Sequence, residues 1–128
     1  MPIFDTDVLI HCERGHKGAL ECLDQAENRY ISCITEMELL QGALSARHIR
    51  EIRVFLTEFD FHVLPLTENI GYRASLYIEE LALSHGLRLT DALIAATAME
   101  NLSSGDLVTA NVKHFKPISG LRLKPFRP

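Results

Sequence analysis

Tryptophan is missing from this chain of 128 residues, and cysteine occurs only as Cys12, Cys22 and Cys33. An odd number of cysteines, at spacings that match no zinc pattern, argues against a disulfide framework and a structural zinc; reduced thiols in a cytoplasmic protein are expected. No apolar run approaches the ~20 residues of a membrane-spanning helix. No basic stretch precedes an apolar one at the N-terminus, so no signal peptide and no membrane association are expected. Repeats, low-complexity tracts and Gly/Ser/Pro-rich linkers are also missing, which predicts one domain over residues 1–128. Acidic residues stop at Asp106. Beyond it the chain carries +5, from Lys113, Lys116, Arg122, Lys124 and Arg127, so residues 1–106 carry −9 of the net −4. That polarity is compatible with a polyanionic substrate, but alone it is also what a solvated basic C-terminus looks like.

What is present is a regular alternation of short apolar strands and longer amphipathic helices. Strands are predicted at 2–4, 30–32, 61–64, 107–109 and 121–123. Helices are predicted from Thr6, over 17–27, 35–44, 47–60 and 67–84, and over "TDALIAATAMENL" at 90–102, with a short turn near Lys113. Met37, Leu40 and Leu44 are expected on one stripe of the 35–44 helix. This order indicates an α/β fold with a short, mainly parallel central sheet flanked by helices. In the long 67–84 helix, Ile70, Ala74, Tyr77 and Leu81 form a core stripe. Tyr72, Leu76 and Leu83 fall on another side, a second apolar face of the kind that contacts a partner.

Open parallel sheets bind ligands beyond the carboxyl ends of their strands. Asp5 and Asn111 sit just past two such ends. Asp5, Glu38 and Asp91 each stand inside an otherwise apolar helical start. Each also has a purely structural explanation. Asp5 and Asp7 suit a helix N-terminus. Thr35 to Glu38 matches a capping box with Glu38 bonded to the Thr35 amide. Thr90 is positioned to cap the helix that carries Asp91. Together, however, three ionised carboxylates at one set of strand ends would repel one another without a cation. A hard divalent ion with oxygen ligands, Mg²⁺ or Mn²⁺, fits such a set.

In order and spacing, "FDTDVLI", "ISCITEMELLQG", "LTDALIAATA" and "LVTANVKHF" resemble the PIN-domain ribonucleases, above all the VapC-type toxins of toxin–antitoxin pairs. The resemblance runs over nearly the whole chain. It implies Asp5, Glu38 and Asp91 as metal ligands and Thr109 as the hydroxyl that steadies Asp5; Thr6, between Asp5 and Asp7, is expected as a supporting neighbour. It further implies hydrolysis of single-stranded RNA to 5′-phosphate and 3′-hydroxyl ends, a VapB-like antitoxin and a homodimer. Two positions depart from the family pattern. Asn111 stands where an aspartate is common, and would orient a water without adding charge. Asp7 stands where Asn, Ser or Cys is usual, and would make up part of the missing charge. Lys113 and Lys116 flank this segment, and Arg47, Arg50 and Arg53 recur along one helix; both sets are candidate RNA contacts. Two other readings remain open. "FDTDVL" also resembles the haloacid-dehalogenase phosphatases, in which Asp5 would be the nucleophile, although no lysine lies between residues 54 and 112. The domain is also read as a weak catalyst that binds RNA or antitoxin without cutting.

Overall fold

Strand β1 (Ile3–Phe4) is only two residues long, yet everything else is arranged around it. The computed structural model describes residues 2–101 and 106–128. Its elements run β1, α1 (Thr6–Glu13), α2 (Lys17–Asp24), β2 (Arg29–Ser32), α3 (Cys33–Gln41), α4 (Ala46–Glu58), β3 (Phe61–Leu64), α5 (Glu68–His85), α6 (Leu89–Glu100), β4 (Leu107–Thr109), α7 (Val112–Phe115) and β5 (Leu123–Pro125). The strands form one five-stranded sheet in the order β3-β2-β1-β4-β5. Every pairing is parallel, as the α/β alternation predicted.

Side chains alternate across the sheet. Ile3 and Leu107 face a core completed by Ile70, Ala74, Ile94, Ala95 and Phe115. Phe4, Ile31 and Val108 face the opposite core with Val8, Leu9, Leu23 and Ile52. Helices therefore cover both faces. Helix α6 is nearly enclosed, with Ala92, Ile94, Ala95, Ala96, Thr97 and Ala98 all buried, because alanines let it approach its neighbours closely. The core stripe expected on α5 is present, while Tyr72, Leu76 and Leu83 remain exposed. α5 ends at Gly86, whose φ of 66° is the left-handed conformation that suits glycine at a helix stop.

Several local expectations are corrected. The 35–44 helix begins two residues earlier, because Ser32, not Thr35, accepts the cap bond (Thr35 N to Ser32 Oγ, 3.1 Å). Met37 and Leu44 do not join the core; Leu44 is 92% exposed, beyond the end of α3. α6 starts at Leu89 after Arg88, with no side-chain cap, so Thr90 lies inside the helix. Leu102, the last residue of that expected helix, lies outside the described residues. The last strand is Leu123–Pro125 rather than 121–123, because its register follows β4, with Leu107 opposite Leu123. Ser32→Ala is therefore expected to lower stability by about 1–2 kcal/mol, read from the midpoint of urea unfolding. No loss would return the cap to Thr35.

Candidate active site

The chain runs outward from β1 through β2 to β3, then returns to place β4 on the other side of β1. Strand order reverses between β1 and β4, which opens a crevice beyond their carboxyl ends. Asp5 is the first residue past β1, and its amide still bonds to Val108 O at 2.9 Å. With Phe4 paired to Val108, the next residues, Asp5 and Thr109, fall side by side. Thr109 Oγ1 donates to Asp5 Oδ2 at 2.7 Å and accepts the Asn111 amide at 2.9 Å. Asp5 Oδ1 accepts the Thr6 amide at 2.8 Å and so caps α1. Both carboxylate oxygens are thus fixed, and Asp5 is only 5% exposed. Burial pushes its pKa up to about 6, opposed by the bonds from Thr109 and Thr6 and reinforced by the charges of Asp7 and Asp91.

Asp91, in the first turn of α6, faces the same crevice. Burial raises its pKa; His114 and Arg88 oppose the rise and Asp7 adds to it. Asp5 therefore senses the charges of Asp7 and Asp91, and Asp91 that of Asp7. Asp7 Oδ2 accepts a bond from Asn111 Nδ2, so the two positions that depart from the family pattern touch. Glu38 enters differently. Its Oε1 accepts the Thr6 hydroxyl at 2.7 Å, and Thr6 Oγ1 also lies 3.0 Å from Thr35 Oγ1. This corrects the capping-box reading. Glu38 reaches across to α1 instead of back along its own helix, because α1 presents a buried hydroxyl to it. Among the described residues, no three Asp, Glu, His or Cys side chains form a ready-made metal cage.

Lys113 and His114 lie on α7 beside Asp91, with His114 Nδ1 3.5 Å from Asp91 Oδ2. Lys116 is exposed at the end of α7. Arg47 and Arg50 are not brought to the carboxylates. They lie on α4 against Val54 and Phe55, and Arg47 pairs with Glu51 at 3.1 Å. Sequence reasoning missed Thr35, whose hydroxyl belongs to the Thr6–Glu38 network, and Arg88, three residues before Asp91; the one signal was a basic residue immediately ahead of an acid-bearing helix.

The arrangement is that of an open α/β domain with an acidic crevice at its topological switch point. The chain belongs to the PIN domain family, whose pattern matches residues 3–118. It is similar to a toxin–antitoxin complex from Klebsiella pneumoniae at 30% identity and a TM-score of 0.80, with all of both chains covered. It is also similar to VapBC-1 from nontypeable Haemophilus influenzae at 25% identity and a TM-score of 0.76, over 97% of this chain and 96% of that one. VapBC2 from Rickettsia felis, bound to a DNA fragment from their promoter, has a TM-score of 0.78 at 22% identity over 98% of each chain, a likeness of fold. A comparison with curated proteins gave no match. The family expected from the sequence motifs is borne out. No helix among the described residues is long and apolar enough to cross a membrane.

Proposed function

We propose that this PIN domain, taken as one unit over residues 1–128, is the VapC-type toxin of a toxin–antitoxin pair: a divalent-metal-dependent endoribonuclease acting in the cytoplasm. The observation that carries this reading is the Asp5 carboxylate, buried at the end of the central strand with both oxygens held and with Asp7 and Asp91 charged toward it. Burying an acid among other acids is costly unless a cation joins them. The donors are all oxygens, which fits Mg²⁺ or Mn²⁺. Asp5 and Asp91 would hold the ion, with Glu38 completing the set from the Thr6 side. When bound, it supplies Lewis acidity that activates water and offsets charge at phosphorus.

The chain's own groups do the positioning. Thr109 and the Thr6 amide keep Asp5 from turning. The Thr6 hydroxyl orients Glu38, and Asn111 orients Asp7. Membership of the PIN family favours attack by water over the phosphatase alternative, which would leave a phosphoryl group on Asp5. The exposed Tyr72, Leu76 and Leu83 face of α5 supports a homodimer, and the relatives solved as toxin–antitoxin complexes support a VapB-like antitoxin.

Incubating the purified protein with single-stranded RNA and sequencing the ends tests the reading. Cleavage that needs Mg²⁺ or Mn²⁺, leaves 5′-phosphates and disappears in Asp91→Asn is expected. Binding without cutting would favour the weak-catalyst reading, and phosphate trapped on Asp5 the phosphatase. Because Asp7 touches Asn111 and adds charge at Asp5 and Asp91, Asp7→Asn is expected to weaken Mg²⁺ binding about tenfold, measured by calorimetry. Unchanged affinity would remove Asp7 from the site.

A further inference from the structure

Three hollows lie around the crevice residues, two of them bordering its carboxylates, and their linings differ in charge. The first, about 300 Å³, carries Glu13, Glu38 and Arg14 among apolar groups, with His48 bonded to Glu13. Two carboxylates facing one arginine make it a poorer place for a phosphate than the other two. The second, about 360 Å³, lies between the α5–α6 turn and α7 and is lined by Arg88, Asp91, Lys113 and His114. The third, about 420 Å³, lies on the other side of α7 and is lined by Asn111, Lys113, His114 and Arg127. Lys113 and His114 border both, so the four-residue helix α7 is a ridge between two cationic hollows.

The cations there are open to solvent, and Arg88 also acts on Asp91. Arg88, Lys113 and Arg127 are exposed, and none belongs to an ion pair among the described residues. The arginines of α4 differ: Arg47 is paired with Glu51 and Arg53 with Glu36, and the hollow beside Arg50 also contains Glu51 and Glu58. The α4 arginines anticipated from the sequence are thus largely neutralised, whereas Lys113, also anticipated, joins Arg88 and Arg127 in an open cationic group.

We infer that the backbone of a single-stranded RNA crosses α7, with one phosphate seated beside Arg88 and Lys113 and a neighbouring one beside Arg127. This deepens the nuclease reading and rests on it. A flexible strand can dip into concavities on both sides of a short ridge, whereas a duplex holds its phosphates on a stiff outer path. The second hollow contains Asp91, so a phosphate there is delivered to the acidic crevice. Arg88 and Arg127 are binding residues for the strand on this path, one on each side of the ridge.

Fluorescence anisotropy with a labelled oligouridylate in chelator, at a series of salt concentrations, tests the path without cleavage. Arg88→Gln, Lys113→Gln and Arg127→Gln are each expected to weaken binding about 5- to 10-fold at low salt, and to flatten the slope of log K against log salt by about 0.7 per lost contact. Arg47→Gln and Lys116→Gln should change affinity less than about twofold, since neither side chain borders the hollows. Wild-type affinity and slope in the first three variants would overturn the inference. Equal losses in all five, or no binding by the wild type, would overturn it too. Adding Mg²⁺ to the same samples reads cleavage separately. RNA that follows this path but is never cut sinks the nuclease reading and leaves the path standing; RNA that is cut with no loss in the Arg88 or Arg127 variants does the reverse.

Discussion

Asp5→Asn is expected to reduce RNA cleavage by ~10³-fold or more, as removal of charge stabilisation worth several kcal/mol requires, while making the metal-free protein harder to unfold at neutral pH. The second effect follows from burial. The Asp5 carboxyl rises from 3.8 to about 6 in the folded protein, chiefly through desolvation. A folded-state value above the unfolded one means that this group's stabilising contribution is full below 3.8 and is lost as pH rises through about 6. At neutral pH the buried charge costs on the order of 3 kcal/mol. Asparagine keeps only one acceptor for the two donors, Thr109 and the Thr6 amide, so about 1–2 kcal/mol should be recovered. Thermal melts in chelator between about pH 4 and pH 8 check this: the variant's advantage should grow with pH and vanish at the acid end. Mg²⁺ should then raise the melting temperature of the wild type and not of the variant, because only the wild type gains a ligand for the folded state. A variant less stable than the wild type at neutral pH in chelator would refute the burial argument.

Phe115→Ala should lower stability by about 3–5 kcal/mol, a large part of the ~5–15 kcal/mol typical of a whole domain. Phe115 is fully buried and packs with Ile3, Ile94, Leu107 and Ile118. It is the buried residue of α7, a helix of only four residues that carries Lys113 and His114 next to Asn111. Too short to hold itself by its own hydrogen bonds, this helix depends on that one ring. RNA affinity should therefore fall along with the urea midpoint. A loss under about 1 kcal/mol would mean that the core closes over the missing ring.

Much of the fold was legible in the sequence. Strand and helix succeed one another at clear intervals, and buried strands such as Leu107-Val108-Thr109 interrupt the helical period abruptly. The acids of the crevice were legible for a related reason: a charged residue among apolar ones, as in "TDALIAATA", is conspicuous wherever it lies. Boundaries were less so. Ser32 and Thr35 are both competent caps three residues apart and both fully buried; Ser32, at the end of β2, takes the Thr35 amide, while the Thr35 hydroxyl is occupied by Thr6. Leu44 fitted the helical stripe in spacing, but α3 had ended before it.

The sequence by itself determined the order of elements, the parallel sheet they imply, and the kinds of groups brought to its carboxyl ends: carboxylates, hydroxyls and the basic residues around Lys113. Those follow from periodicity and residue type, which act over a few neighbours. Only the tertiary structure decided who meets whom. Glu38 takes the Thr6 hydroxyl 32 residues away, Asn111 takes Asp7 across 104 residues, and His114 rather than Lys116 comes to Asp91. A polar side chain near a helix start can satisfy itself locally or across the crevice at similar cost. The register of β1 against β4, and the packing of α1, α3 and α7 on that sheet, set which option has a partner within reach.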